Sequence, residues 1–209
     1  MNKLKIITLA CAAICLLLST CTPKAKQAEL TVSEALAARH SVRSFTNDTI
    51  SNEQLMQILW AANGASRGDR RTAPSAINAQ DINLYVCTAY GVSRYEAQAP
   101  ALEAITDQDI RPIIMRQNKF VLSAPVTILL ISNLSAFGDW LPASKSAEFG
   151  LIDAGIVSEN ISLYCTAVGL GTVPCAPPLD ADTIRKVLSL DEMQMPVMYH
   201  PIGWPDEQE

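Results

Sequence analysis

The chain is 209 residues long and 49% hydrophobic, with 16 basic and 21 acidic side chains and a formal charge of −5. A surface this acidic argues against nucleic acid as a partner. Two histidines and no CxxC pair leave almost nothing from which to build a zinc or haem site, so no metal is expected.

The first twenty residues read as an export signal. Lys3 and Lys5 precede an apolar run from Ile6 to Leu18, interrupted only by Thr8. That run has the length of a signal-peptide core and is short for a membrane span. It ends in Leu18-Ser19-Thr20-Cys21, which resembles a bacterial lipobox. The resemblance implies removal of residues 1–20, lipidation of Cys21, and attachment to a bacterial membrane outside the cytoplasm. An ordinary secretory signal cut nearby is the alternative. Residues 21–30, with Pro23 and two lysines, read as a tether, and residues 31–209 as one domain. Loss of the leader removes two lysines and leaves 14 basic against 21 acidic side chains, a formal −7. Cys11 and Cys15 go with the leader, so the domain keeps only Cys87, Cys165 and Cys175. Three widely spaced cysteines allow one disulfide but no stapled scaffold.

Within the domain, Thr31-Val-Ser-Glu34 is a capping box that opens a short helix. Ser51-Asn-Glu-Gln54 opens a stronger one through Leu55, Ile58, Leu59 and Ala62, with Asn63-Gly64 as its stop. Residues 65–75 read as a polar loop. Strands are expected over Ile82–Thr88 and Val126–Ile131, with a helix between them over roughly Asp107–Phe120 despite Pro112. Residues 135–146 read as a loop carrying Phe137, Trp140 and Pro142. Ala147–Val168 is the most convincing helix, with Phe149, Ile152, Ile156, Leu163 and Ala167 on one face. Val157, Ile161, Tyr164 and Val168 widen that face, enough for a buried helix or a subunit interface. Asp180–Leu188 reads as an amphipathic helix and Met195–Ile202 as a last strand. Mixed helices and strands without a βαβ rhythm predict an α+β class.

Two segments carry chemistry. Arg39-His-Ser-Val-Arg43 places two guanidinium forks and a hydroxyl within five residues, which suits an anionic group such as a phosphate. By itself it would equally serve as an exposed basic turn. Thirty residues on, Pro74-Ser-Ala-Ile-Asn-Ala-Gln80 offers small residues that let backbone approach a flat ligand. Its Asn78 supplies a donor and an acceptor for a ring edge. The same string would also serve as a plain turn into the next strand.

The pairing of R-x-S-x-R-x-F with P-S-A-x-N-x-Q resembles the nitroreductase family of FMN enzymes. The likeness runs over nearly the whole domain, through Leu59-Trp-Ala-Ala, Phe120–Pro125, the long helix and Gly169-Leu-Gly-Thr-Val-Pro174. Leu59–Tyr95 also resembles the thiazoline-oxidising branch, although Ile-Asn-Ala-Gln after Ala76 departs from that branch's pattern. The resemblance implies an FMN-dependent oxidoreductase with a mostly antiparallel sheet flanked by helices. It also implies a homodimer whose two flavin sites are each built from both subunits. Arg39, His40, Ser41 and Arg43 would hold the FMN phosphate and ribityl chain, and Pro74, Ser75, Ala76 and Asn78 would line the ring. Pro174, Cys175 and Ala176 would run past the flavin, one backbone N–H approaching N5. The chemistry would rest on the flavin with no catalytic side chain, by ping-pong hydride transfer from a reduced donor to a small aromatic, nitro or quinone acceptor.

Family members usually carry a basic residue after the Gly-Trp-Pro segment; here Gly203-Trp-Pro205 is followed by Asp206-Glu-Gln-Glu209. That implies a lost phosphate contact and weaker FMN binding, with Arg70 or Arg71 as substitutes. A flavin-binding lipoprotein without turnover is the alternative from another class. Gly64-Ala-Ser-Arg-Gly68 spells a nucleophile elbow with His200 downstream, but an elbow needs a strand before the serine and a helix after it. Cys175 reads as a reactive thiol or, more commonly, a small buried residue. Phe137 and Trp140 read equally as a lid over the ring or as core.

Overall fold

The computed structural model describes residues 29–206; the expected export signal, the expected lipidation at Cys21 and most of the expected tether lie outside them. The two capping boxes form as expected. Thr31 Oγ1 accepts the Glu34 N–H at 3.3 Å while Glu34 accepts the Thr31 N–H at 2.8 Å, which starts α1 (Val32–Ala38). Ser51 and Gln54 repeat the exchange at the head of α2 (Asn52–Asn63). Gly64 ends α2 at φ −76°, so its glycine is not there for a left-handed turn. A Cβ at that position would lie 2.6 Å from Trp60, and close approach is the reason. The segment read as a loop then forms a small hairpin, β1 (Ala65–Arg67) and β2 (Arg70–Arg71), turned at Gly68 with φ +59°.

The main sheet has six strands. They are β3 (Ile82–Thr88), β4 (Gly91–Glu96), β5 (Ala101–Thr106), β6 (Val126–Asn133), β7 (Gly171–Thr172) and β8 (Gln194–Gly203), in the order β5-β4-β3-β6-β8-β7. Every pairing is antiparallel. β6 lies at the centre and is apolar on both faces because both faces are covered, which explains its unbroken Val-Thr-Ile-Leu-Leu-Ile run. On one face, Leu84, Val86, Ile128 and Leu130 pack with α2 and with α4 (Ala143–Ala167). On the other, Tyr85, Cys87, Leu129 and Ile131 pack with α3 (Arg111–Ile114) and α5 (Ala181–Leu188). The α+β class expected from the sequence is the class observed.

Two expectations are corrected. The helix expected over 107–120 is a single turn, Arg111–Ile114, followed by a separate 3-10 turn over Lys119–Leu122. Pro112 fits only a first turn, and Arg116 at φ +53° breaks any continuation. The long helix starts at Ala143, four residues early, and its buried face keeps Val157 and Ile161 of the expected one but turns Ile152 outward. Gly150, Asp153, Ala154, Val157, Ser158, Ile161, Ser162 and Cys165 point inward, while Ile152 is 59% exposed. Small side chains let α4 lie close on the sheet: a Cβ at Gly150 would meet Ser132 Oγ at 2.3 Å.

Candidate functional site

Arg39 is the C-cap of α1, after which the chain runs along the edge of the sheet. The Val42 N–H donates to Thr172 O at 3.0 Å and the Val42 side chain packs against Gly171. Phe45 is buried against Gly203 and bridges to Pro205. These two apolar anchors fix the segment and turn Arg39, His40, Ser41 and Arg43 out to solvent. Among the described residues neither arginine forms an ion pair. His40 Nδ1 lies 3.0 Å from the Ala38 carbonyl, a local contact that leaves Nε2 facing outward. Two unpaired guanidinium groups and a hydroxyl on one short rim can enclose a dianion.

Pro174–Ala176 joins this rim. Cys175 exchanges both backbone hydrogen bonds with Tyr199, each 2.9 Å. The alternation of extended backbone therefore buries Cys175 and leaves Pro174 and Ala176 exposed. Arg43 is near enough for its charge to act on the Cys175 thiol, but burial dominates and raises the thiol above its usual range. That makes Cys175 a packing residue and not a reactive thiolate. Of the three residues, proline has no N–H and the Cys175 N–H is taken by Tyr199. The donor expected from this stretch is thus the Ala176 N–H.

Pro74–Asn78 sits elsewhere. A 3-10 turn spans Ala76–Asn78, with Ile77 at φ +49°, Asn78 at +58° and Gln80 at +53°. The Ala76 N–H is held by both carboxylate oxygens of Asp153, at 2.9 and 3.1 Å. Asp153 lies in the first half of α4, whereas Gly171 and Val42 follow its C-terminal end. The twelve residues from Asp153 to Cys165 span about 18 Å of helix. One chain therefore brings Arg39–Arg43 together with Pro174–Ala176 and keeps Pro74–Asn78 at the other end of the sheet.

The remaining candidates are settled by burial. His200 is fully buried between Ser158 Oγ (2.8 Å) and Thr172 Oγ1 (3.2 Å), and burial lowers its pKa to about 3. Ser66 lies in the β1–β2 hairpin with no helix after it, so the elbow and its base never form. Arg71 Nε donates to Gln80 at 2.9 Å, and its guanidinium lines a polar cavity of about 170 Å³ beside Tyr95 and Asn63. Arg70 lies 3.5 Å from Asp69. Neither joins Arg39 and Arg43 within one chain. Phe137 is buried, with its ring 5.9 Å from Phe149, and belongs to the core; Trp140 is 70% exposed. Asp81 and Asp153, which bear directly on the Pro74–Asn78 segment, were not among the sequence candidates. A charge inside an apolar helix face was the available signal for Asp153.

The family model named Nitroreductase family matches residues 36–204. The chain belongs to the nitroreductase family. A candidate nitroreductase of Methanocaldococcus jannaschii is 26% identical to it over 190 residues, covering 84% of this chain and 91% of the relative. An FMN reductase [NAD(P)H] of Bacillus subtilis is 26% identical over 182 residues, covering 85% and 67%. Among solved structures, a candidate nitroreductase of Ralstonia eutropha JMP134 superposes with a TM-score of 0.77 at 28% identity, covering 87% of this chain and 86% of that one. The antiparallel sheet with helices on both faces is this family's fold.

Proposed function

We propose that this nitroreductase-family chain is an FMN-dependent oxidoreductase that works as a homodimer. The observation that carries the reading is the rim where the unpaired Arg39 and Arg43, Ser41 and the uncommitted Ala176 N–H face solvent together. The arginines and Ser41 fit a phosphate, with His40 beside the ribityl chain. Pro174 and Ala176 give a flat, small-residue wall that a planar ring can approach, and the Ala176 N–H would be the donor available to a ring nitrogen. The flavin, when bound, supplies the two-electron chemistry; the protein orients it and keeps one face open to donor and acceptor in turn. NAD(P)H is the donor class used by the Bacillus subtilis relative, and small aromatic, nitro or quinone compounds are the proposed acceptors.

Pro74, Ser75, Ala76 and Asn78 complete the ring pocket of the partner copy, because in their own chain they are held at Asp153, about 18 Å of helix away from the Cys165 end of α4. The apolar surface left on the outside supports this: Leu151 and Ile152 on α4 and Val32 and Leu36 on α1 are each more than half exposed. The signal-like leader and Cys21 support an exported form anchored by lipid to the membrane.

An absorbance titration of the full chain with FMN tests the reading. Bound-flavin bands that bleach on adding NADH or NADPH and return with a quinone or nitroaromatic are expected. Bound flavin that no donor bleaches would instead make the protein a carrier, and a chain that ignores FMN would overturn both.

A further inference from the structure

Two carboxyl groups meet inside the protein where no reaction requires them. Asp81, at the foot of β3, and Asp153, on the inner face of α4, are each 1% exposed. Ser132 Oγ on β6 donates to Asp81 Oδ2 at 2.6 Å. Asp81 Oδ1 is buried without a hydrogen-bond partner, and the Asp153 carboxyl acts on the same side chain. Asp153 in turn spends both oxygens on the Ala76 N–H. Among the described residues, β6 brings the Ser132 hydroxyl and α4 the Asp153 carboxyl to Asp81, and no cation acts on it. Two buried carboxylates this close cannot both carry charge without a large cost, so the arrangement needs one proton between them.

The segment they hold is under strain. Ile77, Asn78 and Gln80 all occupy the left-handed region, and Ile77 is β-branched, the residue type that tolerates it least. Local bonds share the load: Gln80 N–H to Ser75 Oγ at 2.8 Å and Asn78 N–H to Ser75 O at 3.0 Å. The Ala76–Asp153 bond is the tie that fixes the turn to α4.

We propose that Asp81, holding a proton beside Asp153, acts with it as a positioning pair for Ser75–Asn78, so that the readiness of that segment to line the flavin is gated by pH. This rests on the flavin reading above. With one proton, Asp81 donates to Asp153 or takes its place as the neutral partner, and Asp153 grips Ala76. When that proton leaves, the two carboxylates repel and the grip loosens. Burial and the neighbouring Asp153 push Asp81 up to about 7, which places the change near neutrality. The folded state then holds a proton that the unfolded chain releases near pH 4. The pair's contribution is therefore full in acid and is lost as pH rises through about 7.

The test uses the full chain in mild detergent, labelled with ¹⁵N-alanine, with and without FMN. In the flavin-free protein the Ala76 amide shift should move with a midpoint between about pH 6 and 8. FMN affinity should fall about tenfold from pH 6 to 8.5 relative to Asp81→Asn, the equivalent of one unit of pKa displacement on binding. Referencing to that variant removes the titration of the FMN phosphate itself. In Asp81→Asn the amide should stop titrating, and Asp153→Ala should weaken FMN at every pH while Asp153→Asn restores part of it. Should Asp81→Asn fail to fold, Ser132→Ala serves, because loss of the bond that holds Asp81 down must raise the midpoint. Superimposable pH profiles for wild type and Asp81→Asn, or an unmoved midpoint in Ser132→Ala, overturn the proposal while leaving the flavin reading intact. An amide that titrates in a protein that binds no FMN at any pH keeps the pair and removes the flavin reading.

Discussion

At Ala176 the backbone N–H is uncommitted, flanked by a proline without one and a cysteine whose own is bound to Tyr199. If the flavin N5 is to be reached from this edge, that atom must do it. Ala176→Pro deletes the donor while leaving the Cys175–Tyr199 bridge in place, and the extended conformation of Cys175 accepts a following proline. The expected outcome is a folded, flavin-binding protein whose flavin is reduced tenfold or more slowly. That is the scale of losing a hydrogen bond to a charged or charging group, about 1.5–3 kcal/mol. Stopped-flow reduction by NADH checks it, and unchanged reduction kinetics would move the N5 contact elsewhere. At this scale the sequence singled out segments but not which of their atoms are free. Arg39, Ser41 and Arg43 are as exposed as their pattern suggested. The donor could not be assigned from the string Pro-Cys-Ala, because Tyr199 lies 24 positions on and pairs with Cys175 only once the edge forms.

The long helix shows how an element can be legible in extent and misread in orientation. Its most apolar stripe, with Ile152 on it, is not its core face; the core face is built of Gly150, Ala154, Ser158, Ser162 and Cys165, with Val157 and Ile161 between them. Apolar periodicity reports any surface removed from water, and here part of it points away from the sheet. Close packing of the inner face predicts that Gly150→Ala is destabilising. Its Cβ would press on Ser132 Oγ and Cβ, at 2.3 and 2.9 Å, and so disturb the hydroxyl that holds Asp81. The expected cost is about 1–3 kcal/mol, against the few tenths gained by Gly→Ala in an open helix. Gly155 is the control, with open space where its Cβ would stand. Urea melts of the two variants, matched in m-value, separate the cases; equal stabilities would mean that α4 is loosely seated. Strands β4 and β5 escaped the sequence reading for the opposite reason. β5 is an edge strand exposed along most of its length, and on β4 Arg94 pairs with Glu96 at 2.7 Å and with Glu103 of β5 at 2.8 Å. Charge ladders on an edge carry almost no hydrophobic signal.

For the whole molecule, the decisive fact is that the two sets of residues proposed to line the flavin do not meet in one chain. Arg39–Arg43 is tied to β7 by Val42, and Pro74–Asn78 is tied to the opposite end of α4 by Asp153. A cofactor that needs both would be shared between two copies, and the apolar surface that α1 and α4 leave exposed is the proposed contact between them. Leu151 at 56% and Ile152 at 59% exposure are the large apolar side chains at the middle of that surface. More than half of each lies in solvent, so a substitution there removes little of the core's packing. Ile152→Glu should therefore leave the fold and its melting in the monomeric state unharmed while placing a charge in the interface. A buried interface charge costs 2 kcal/mol or more, about thirtyfold in association. Sedimentation equilibrium should show dissociation to single chains, and an FMN titration on the same sample should show affinity falling with it. The two losses have to travel together. A monomer that binds FMN as tightly as the wild type would mean that one chain suffices, and Pro74–Asn78 would then have no part in the site.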